Sequence, residues 1–214
     1  MIKDIFAVLL NRILARGGNL IVLALLARFL STEDMGVYGL TTMTSYTVVY
    51  FASLGLRNSS AFFIAKGLFD EPRIKQTLLY AWPIISTLAF GIMFGISSYN
   101  LGHRADPGII ALAASAVIPM MFVYITQGIF LATKNIRAFN QSEIISRYFL
   151  LAGVLVSIIV DQVTLAVSLL TFVASQFVSV VYIAARTYNK RSYYFPVSTD
   201  IFKPLWPMIK QGGV

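Results

Sequence analysis

The sequence contains no cysteine and a single histidine in 214 residues. Together these absences remove disulfide frameworks, thiolate metal sites, cysteine nucleophiles and histidine-based metal clusters, so no metal or redox cofactor is expected. Charge is scarce as well. Only 12% of residues are charged and nine are acidic, against about 25% charged in a soluble domain. The remainder is strongly apolar, with 57% hydrophobic residues and a mean hydropathy of +0.76. One soluble domain of this length needs far fewer apolar residues to fill its core. The surplus must face lipid.

The formal net charge of +8 does not point to nucleic acid, because a binding face needs Lys and Arg clustered on a soluble element. Here they are dispersed between apolar runs. A cleaved signal peptide is excluded by the length of the first run, Ile5 to Leu30, which reads as a retained span.

A span needs about 20 mainly apolar residues to cross about 30 Å of hydrocarbon. Six runs meet that length: Ile5 to Leu30, Gly36 to Ala65, Gln76 to Tyr99, Gly108 to Thr133, Ala138 to Val160 and Val163 to Ala185. The segments between them are short and rich in helix breakers, so consecutive helices run antiparallel as neighbours. The predicted fold is an all-α integral membrane protein, a six-helix bundle over residues 1–186. A basic cytoplasmic linker follows over 187–200. Residues 201–214 turn apolar again and read as the start of a seventh helix cut short, or as an interfacial helix.

Orientation follows from the basic residues. With the N-terminus in the cytoplasm, the inner segments carry Lys3, Lys66, Arg73, Lys75, Lys134, Arg137, Arg186, Lys190, Arg191 and Lys203, and the outer loops carry Arg104. Counting Arg28 as outer leaves the asymmetry intact, and cytoplasmic loops are the ones enriched in Lys and Arg. Tyr80, Trp82 and Tyr99 fit either interfacial aromatic belts or ordinary packing.

Charges inside spans are the informative residues, since each costs about 2.5–3.5 kcal/mol on insertion scales. Arg12 and Arg16 share a face of the first helix, and Asn19 continues it. Arg57 sits late in the second span and Arg147 midway along the fifth, with Asn140, Gln141 and Glu143 before it. At a rise of 1.5 Å per residue, Arg12, Arg57, Arg147 and Arg16 lie roughly 10, 12, 14 and 16 Å from the inner end. Four cations in one layer point to a wet cavity in the inner half that receives an anion such as a lipid diphosphate. Arg12 and Arg57 are also shallow enough to snorkel to the inner headgroups, and Glu143 stands where a helical ion pair with Arg147 would form. Lys210 joins the set only if a seventh span forms. The density of hydroxyls from Tyr38 to Ser60 predicts a lumen-facing second helix. Pro119 and Gln127 predict a kink and a polar contact in the fourth.

Leu26-Ala-Arg-Phe-Leu-Ser-Thr-Glu-Asp-Met-Gly-Val-Tyr38 resembles the junction of the first two helices in polysaccharide flippases of the multidrug/oligosaccharidyl-lipid/polysaccharide exporter superfamily. Gln127-Gly-Ile-Phe-Leu-Ala-Thr-Lys-Asn-Ile-Arg-Ala-Phe-Asn140 similarly resembles that family's fourth-to-fifth helix turn. The resemblance implies the first of two six-helix bundles around a cavity that opens alternately to each side. It implies as substrate an undecaprenyl-diphosphate-linked oligosaccharide, flipped across the bacterial plasma membrane for surface polysaccharide such as lipopolysaccharide O-antigen. It also implies that Arg16 and Arg57, matched by helix and depth, hold the diphosphate. The expected substrate-binding set is therefore Arg12, Arg16, Arg57, Arg147, Asn19 and Glu143. Expected partners are the lipid-linked substrate, membrane lipids, other polysaccharide-assembly membrane proteins, and a C-terminal bundle or a second copy of the chain.

Two other readings stand beside this one. A cation-coupled multidrug exporter of the same superfamily would want cavity acids, for which Glu143 is the intramembrane candidate. A non-transporting fragment would insert six helices without enclosing a pathway. An enzyme is not expected, since no nucleophile–base constellation appears and His103 falls in an outer loop.

Overall fold

The computed structural model describes residues 17–102, 106–188 and 203–212. Arg12, Arg16, His103, Arg104 and most of the basic linker lie outside them. The described residues form nine helices: α1 Gly17–Phe29, α2 Thr32–Ala52, α3 Leu56–Ala65, α4 Glu71–Leu101, α5 Pro107–Ser115, α6 Val117–Ala132, α7 Ile136–Ile159, α8 Leu165–Thr187 and α9 Leu205–Gly212.

Four stretches are long and apolar enough to span: α4, α5 with α6, α7, and α8. A fifth span is α2 with α3, and α1 is the described part of the first predicted run. The chain is a multi-pass membrane protein whose described residues are helical, with five spans and the described part of the first run in the expected order. The third run extends beyond its predicted bounds. Its 31 residues make a helix of about 46 Å, longer than the ~30 Å hydrocarbon layer, so its ends stand in the headgroup zones.

Helix starts are set by side chains that accept from first-turn amides. Ser31 accepts from the Asp34 amide at 3.1 Å, Asn135 from Ala138 at 3.2 Å and Thr164 from Val167 at 3.3 Å. Glu33 and Asp34 add negative charge where the α2 dipole is positive. Ser31→Ala is expected to cost about 1 kcal/mol, with amide exchange rising in the first turn of α2 and not in α7 or α8.

The second span departs from its prediction as one continuous helix. It bends by 45° at Ser53–Gly55, where Leu54 (φ 48°) and Gly55 (φ 68°) both take the left-handed conformation. Two such residues in succession end α2 and let α3 restart on a new axis. The fourth span breaks at Ala116. Pro119, four residues beyond Ser115, has no N–H to give the Ser115 carbonyl, which interrupts the hydrogen-bond ladder there, while Ala116 keeps right-handed helical dihedrals (φ −57°, ψ −30°) and the two pieces continue as one span.

α6 lies at the centre, flanked by α3 and α4 and touching α7 and α8, while α7 and α8 pack along each other. Leu26, Leu56, Ile74, Met93, Met121, Ile125, Leu169 and Phe172 fill the middle. Trp82 is a packing residue: its indole N–H donates to the Ile118 carbonyl at 3.0 Å and its ring meets Phe122. Tyr80 and Tyr99 are exposed. The exposed Leu, Ile and Phe of α2, α4 and α8 are what a lipid-facing surface requires.

Candidate functional site: a polar cavity within the bundle

A cavity of about 580 Å³ opens between the helices, lined from five spans. Arg57 comes from α3 and Arg147 from α7. The Arg57 guanidinium lies 5.0 Å from the Tyr124 ring centroid and 5.3 Å from that of Phe139. Its Nε is buried with no hydrogen-bond partner among the described residues, and the two aromatic faces contribute to stabilising the charge. Its backbone is held by the close approach of α3 to α6 at Gly128, where a Cβ would meet the Arg57 carbonyl oxygen and the Ser60 hydroxyl.

Arg147 Nη1 donates to Asn19 Oδ1 at 3.1 Å, and its Cζ lies 5.6 Å from the Tyr46 ring centroid. The partner is a neutral amide from α1. Glu143, one turn earlier, also borders the cavity but makes no ion pair with Arg147. The helical pair anticipated between them does not form, and the carboxylate leaves the guanidinium charge unneutralised. Among the described residues, two cations thus face the space against one acid.

Of the predicted site residues, Asn19, Arg57, Glu143 and Arg147 come together on this cavity. Arg12 and Arg16 lie outside the described residues. Asn140 is buried away from the cavity, and Gln141 accepts from the Tyr182 hydroxyl at 2.5 Å. Lys210 is exposed on α9 and borders no part of the cavity.

The second span faces the cavity, as predicted, but not through its hydroxyls. Thr42, Ser45, Thr47, Ser53, Ser59 and Ser60 return their hydroxyls to carbonyls three or four residues earlier. In hydrocarbon that internal bond is always within reach. The span contributes Tyr46, Val49 and Arg57 to the lining instead.

Sequence reasoning passed over Tyr46, Tyr124, Gln176 and Ser179. The signal for the last two was present, since Ser175-Gln176 and Ser179 place three polar residues on one turn of an otherwise apolar run. Gln127 does make its predicted polar contact, to Ser142 at 3.2 Å.

The fold is similar to one half of each of two solved transporters. It is similar to an outward-facing multidrug resistance MATE family transporter of the MOP superfamily, with a TM-score of 0.69 at 14% identity, and to a MATE crystallised in complex with MaD3S, with a TM-score of 0.60 at 16% identity. Each match covers 94% of this chain and 50% of the other, so the chain spans half the length of these transporters. No family model and no curated protein matches the sequence.

Proposed function

We propose that this chain forms one half of an alternating-access transporter that flips an undecaprenyl-diphosphate-linked oligosaccharide across the bacterial plasma membrane. Residues 1–186 are the transporting bundle, 187–200 a cytoplasmic linker, and α9 the start of the next span, with a second bundle or a second copy completing the pathway. The observation that carries the reading is the pair of guanidinium groups, Arg57 and Arg147, in one cavity and in no ion pair with a described residue. Holding two guanidinium groups at membrane depth against a single acid, with no ion pair among the described residues, is costly. A diphosphate offsets that cost with charge-assisted bonds, while its prenyl tail stays in lipid and its sugar crosses through the polar interior.

Glu143 and the Tyr46 and Tyr124 rings favour a second reading, export of organic cations, since an unpaired acid and aromatic faces both attract such ligands. Competition binding in nanodiscs separates the two. Polyprenyl diphosphate is expected to bind with strong salt dependence, and ethidium is expected not to displace it. Ethidium binding that Glu143→Gln abolishes, with no diphosphate binding, would replace the flippase by the exporter.

A further inference from the structure

Two buried amides border the cavity, Gln127 on α6 and Gln176 on α8. Gln127 Nε2 donates to Ser142 Oγ at 3.2 Å, and Gln176 Nε2 donates to Ser146 Oγ and Ser175 Oγ, each at 3.3 Å. The orientation of both amides is dictated by the serines. Ser142 commits its hydroxyl proton to the Phe139 carbonyl at 2.7 Å, and Ser175 commits its own to the Phe172 carbonyl at 2.7 Å. Each serine oxygen is left able only to accept. Turning Gln127 over would set its Oε1 against Ser142 Oγ, and turning Gln176 over would set its Oε1 against Ser175 Oγ, so those two serines hold the NH₂ ends towards them.

The carbonyl ends are consequently free. Neither Gln127 Oε1 nor Gln176 Oε1 accepts a bond from a described residue, and neither belongs to the sealed, unpartnered atoms, which are Thr41 Oγ1, Arg57 Nε, Thr126 Oγ1 and Thr187 Oγ1. A ligand in this cavity meets guanidinium donors on α3 and α7 and amide acceptors on α6 and α8. Phosphate oxygens have nothing to give the acceptors. Hydroxyl and amide N–H groups do.

We infer that Gln127 and Gln176 form a saccharide subsite, whose carbonyl oxygens accept from hydroxyls or the acetamido N–H of the sugar next to the diphosphate. The Tyr46 and Tyr124 rings border the same space and offer apolar faces to the sugar's C–H surface. This rests on the proposed flippase function and adds the part of the cavity that reads the sugar.

The test compares two ligands on the 214-residue chain in nanodiscs: polyprenyl diphosphate bare, and the same lipid carrying one N-acetylhexosamine. The sugar-bearing lipid is expected to bind about tenfold more tightly, the worth of one or two hydrogen bonds that replace unmet acceptors. Gln127→Met with Gln176→Met, close in shape but without the carbonyl, is expected to remove that preference, so that the two lipids bind alike. Ser142→Ala with Ser175→Ala keeps both amides but frees them to turn, and is expected to erode the preference as well, with unchanged helical circular dichroism showing that the bundle has formed. Equal binding of the two lipids by the unaltered chain overturns the subsite while leaving the diphosphate reading intact. A preference that survives the double methionine variant also overturns it. Failure of both lipids to bind overturns the flippase function and the subsite together.

Discussion

Arg57→Ala combined with Arg147→Ala is expected to reduce flipping of the lipid-linked sugar by about 100-fold or more, and each single change by about tenfold. A hydrogen bond to a charged group contributes about 1.5–3 kcal/mol, and each 1.4 kcal/mol is a factor of ten. Removing both of the proposed guanidinium–phosphate bonds at once gives the larger figure. The same substitutions are expected to leave membrane insertion unimpaired, because removing a charge from a span relieves about 2.5–3.5 kcal/mol on insertion scales. That difference in sign separates a transport defect from a folding defect. Flipping is measured as protection of a fluorescent lipid-linked sugar in proteoliposomes, and insertion by protease mapping of the inner loops. Arg57→Lys is expected to resemble the alanine variant more than the unaltered protein, since an ammonium cannot offer the planar two-donor edge of a guanidinium. Full flipping by the double alanine variant would dissociate the two arginines from the substrate.

These arginines were visible in the sequence because a guanidinium within an apolar run is conspicuous whatever surrounds it. The runs themselves were visible for the same reason: crossing hydrocarbon demands about 20 apolar residues, and few other constraints produce them. Partners and bends are encoded less openly. Asn19 as the anchor of Arg147 depends on α1 meeting α7 across 128 positions, and no local pattern specifies that meeting. The Ser53–Gly55 break was hidden because glycine and serine are ordinary inside membrane helices, where neighbouring residues and side-chain hydroxyls repair the backbone. The hydroxyls of the second span misled for a related reason. A serine that bonds its own helix and one that faces water have the same sequence signature. The spacing of Glu143 and Arg147 left an ion pair and a ligand contact both open, because spacing only brings the side chains within reach, and the interhelical amide is the bond that Arg147 forms.

Gly128→Val is expected to destabilise the bundle by about 3 kcal/mol, at the upper end of the usual cost of overpacking. The reason lies in what a side chain at that position would strike. A Cβ on Gly128 would meet the Arg57 carbonyl oxygen and the Ser60 hydroxyl oxygen of α3. The hydroxyl can rotate, at the loss of its bond to the Arg57 carbonyl. The carbonyl belongs to the α3 backbone and moves only if the helix moves. Because Arg57 is the second residue of α3, just past the Ser53–Gly55 break, the helix yields most readily at its first turn, and that displacement draws the guanidinium away from the Tyr124 and Phe139 rings. Gly128→Ala is therefore expected to lower flipping towards the level of Arg57→Ala while retaining the charge. Gly153 provides the comparison. It also sits at a tight helix crossing, but a Cβ there would meet chiefly the Thr171 side-chain methyl, which can give way without moving a backbone, so Gly153→Ala is expected to cost no more than about 1 kcal/mol and to leave flipping unchanged. Thermal unfolding and the flipping assay on the two alanine variants measure both quantities. Equal effects at the two glycines would mean that helix crowding in general, and not the seating of Arg57, is what Gly128 protects.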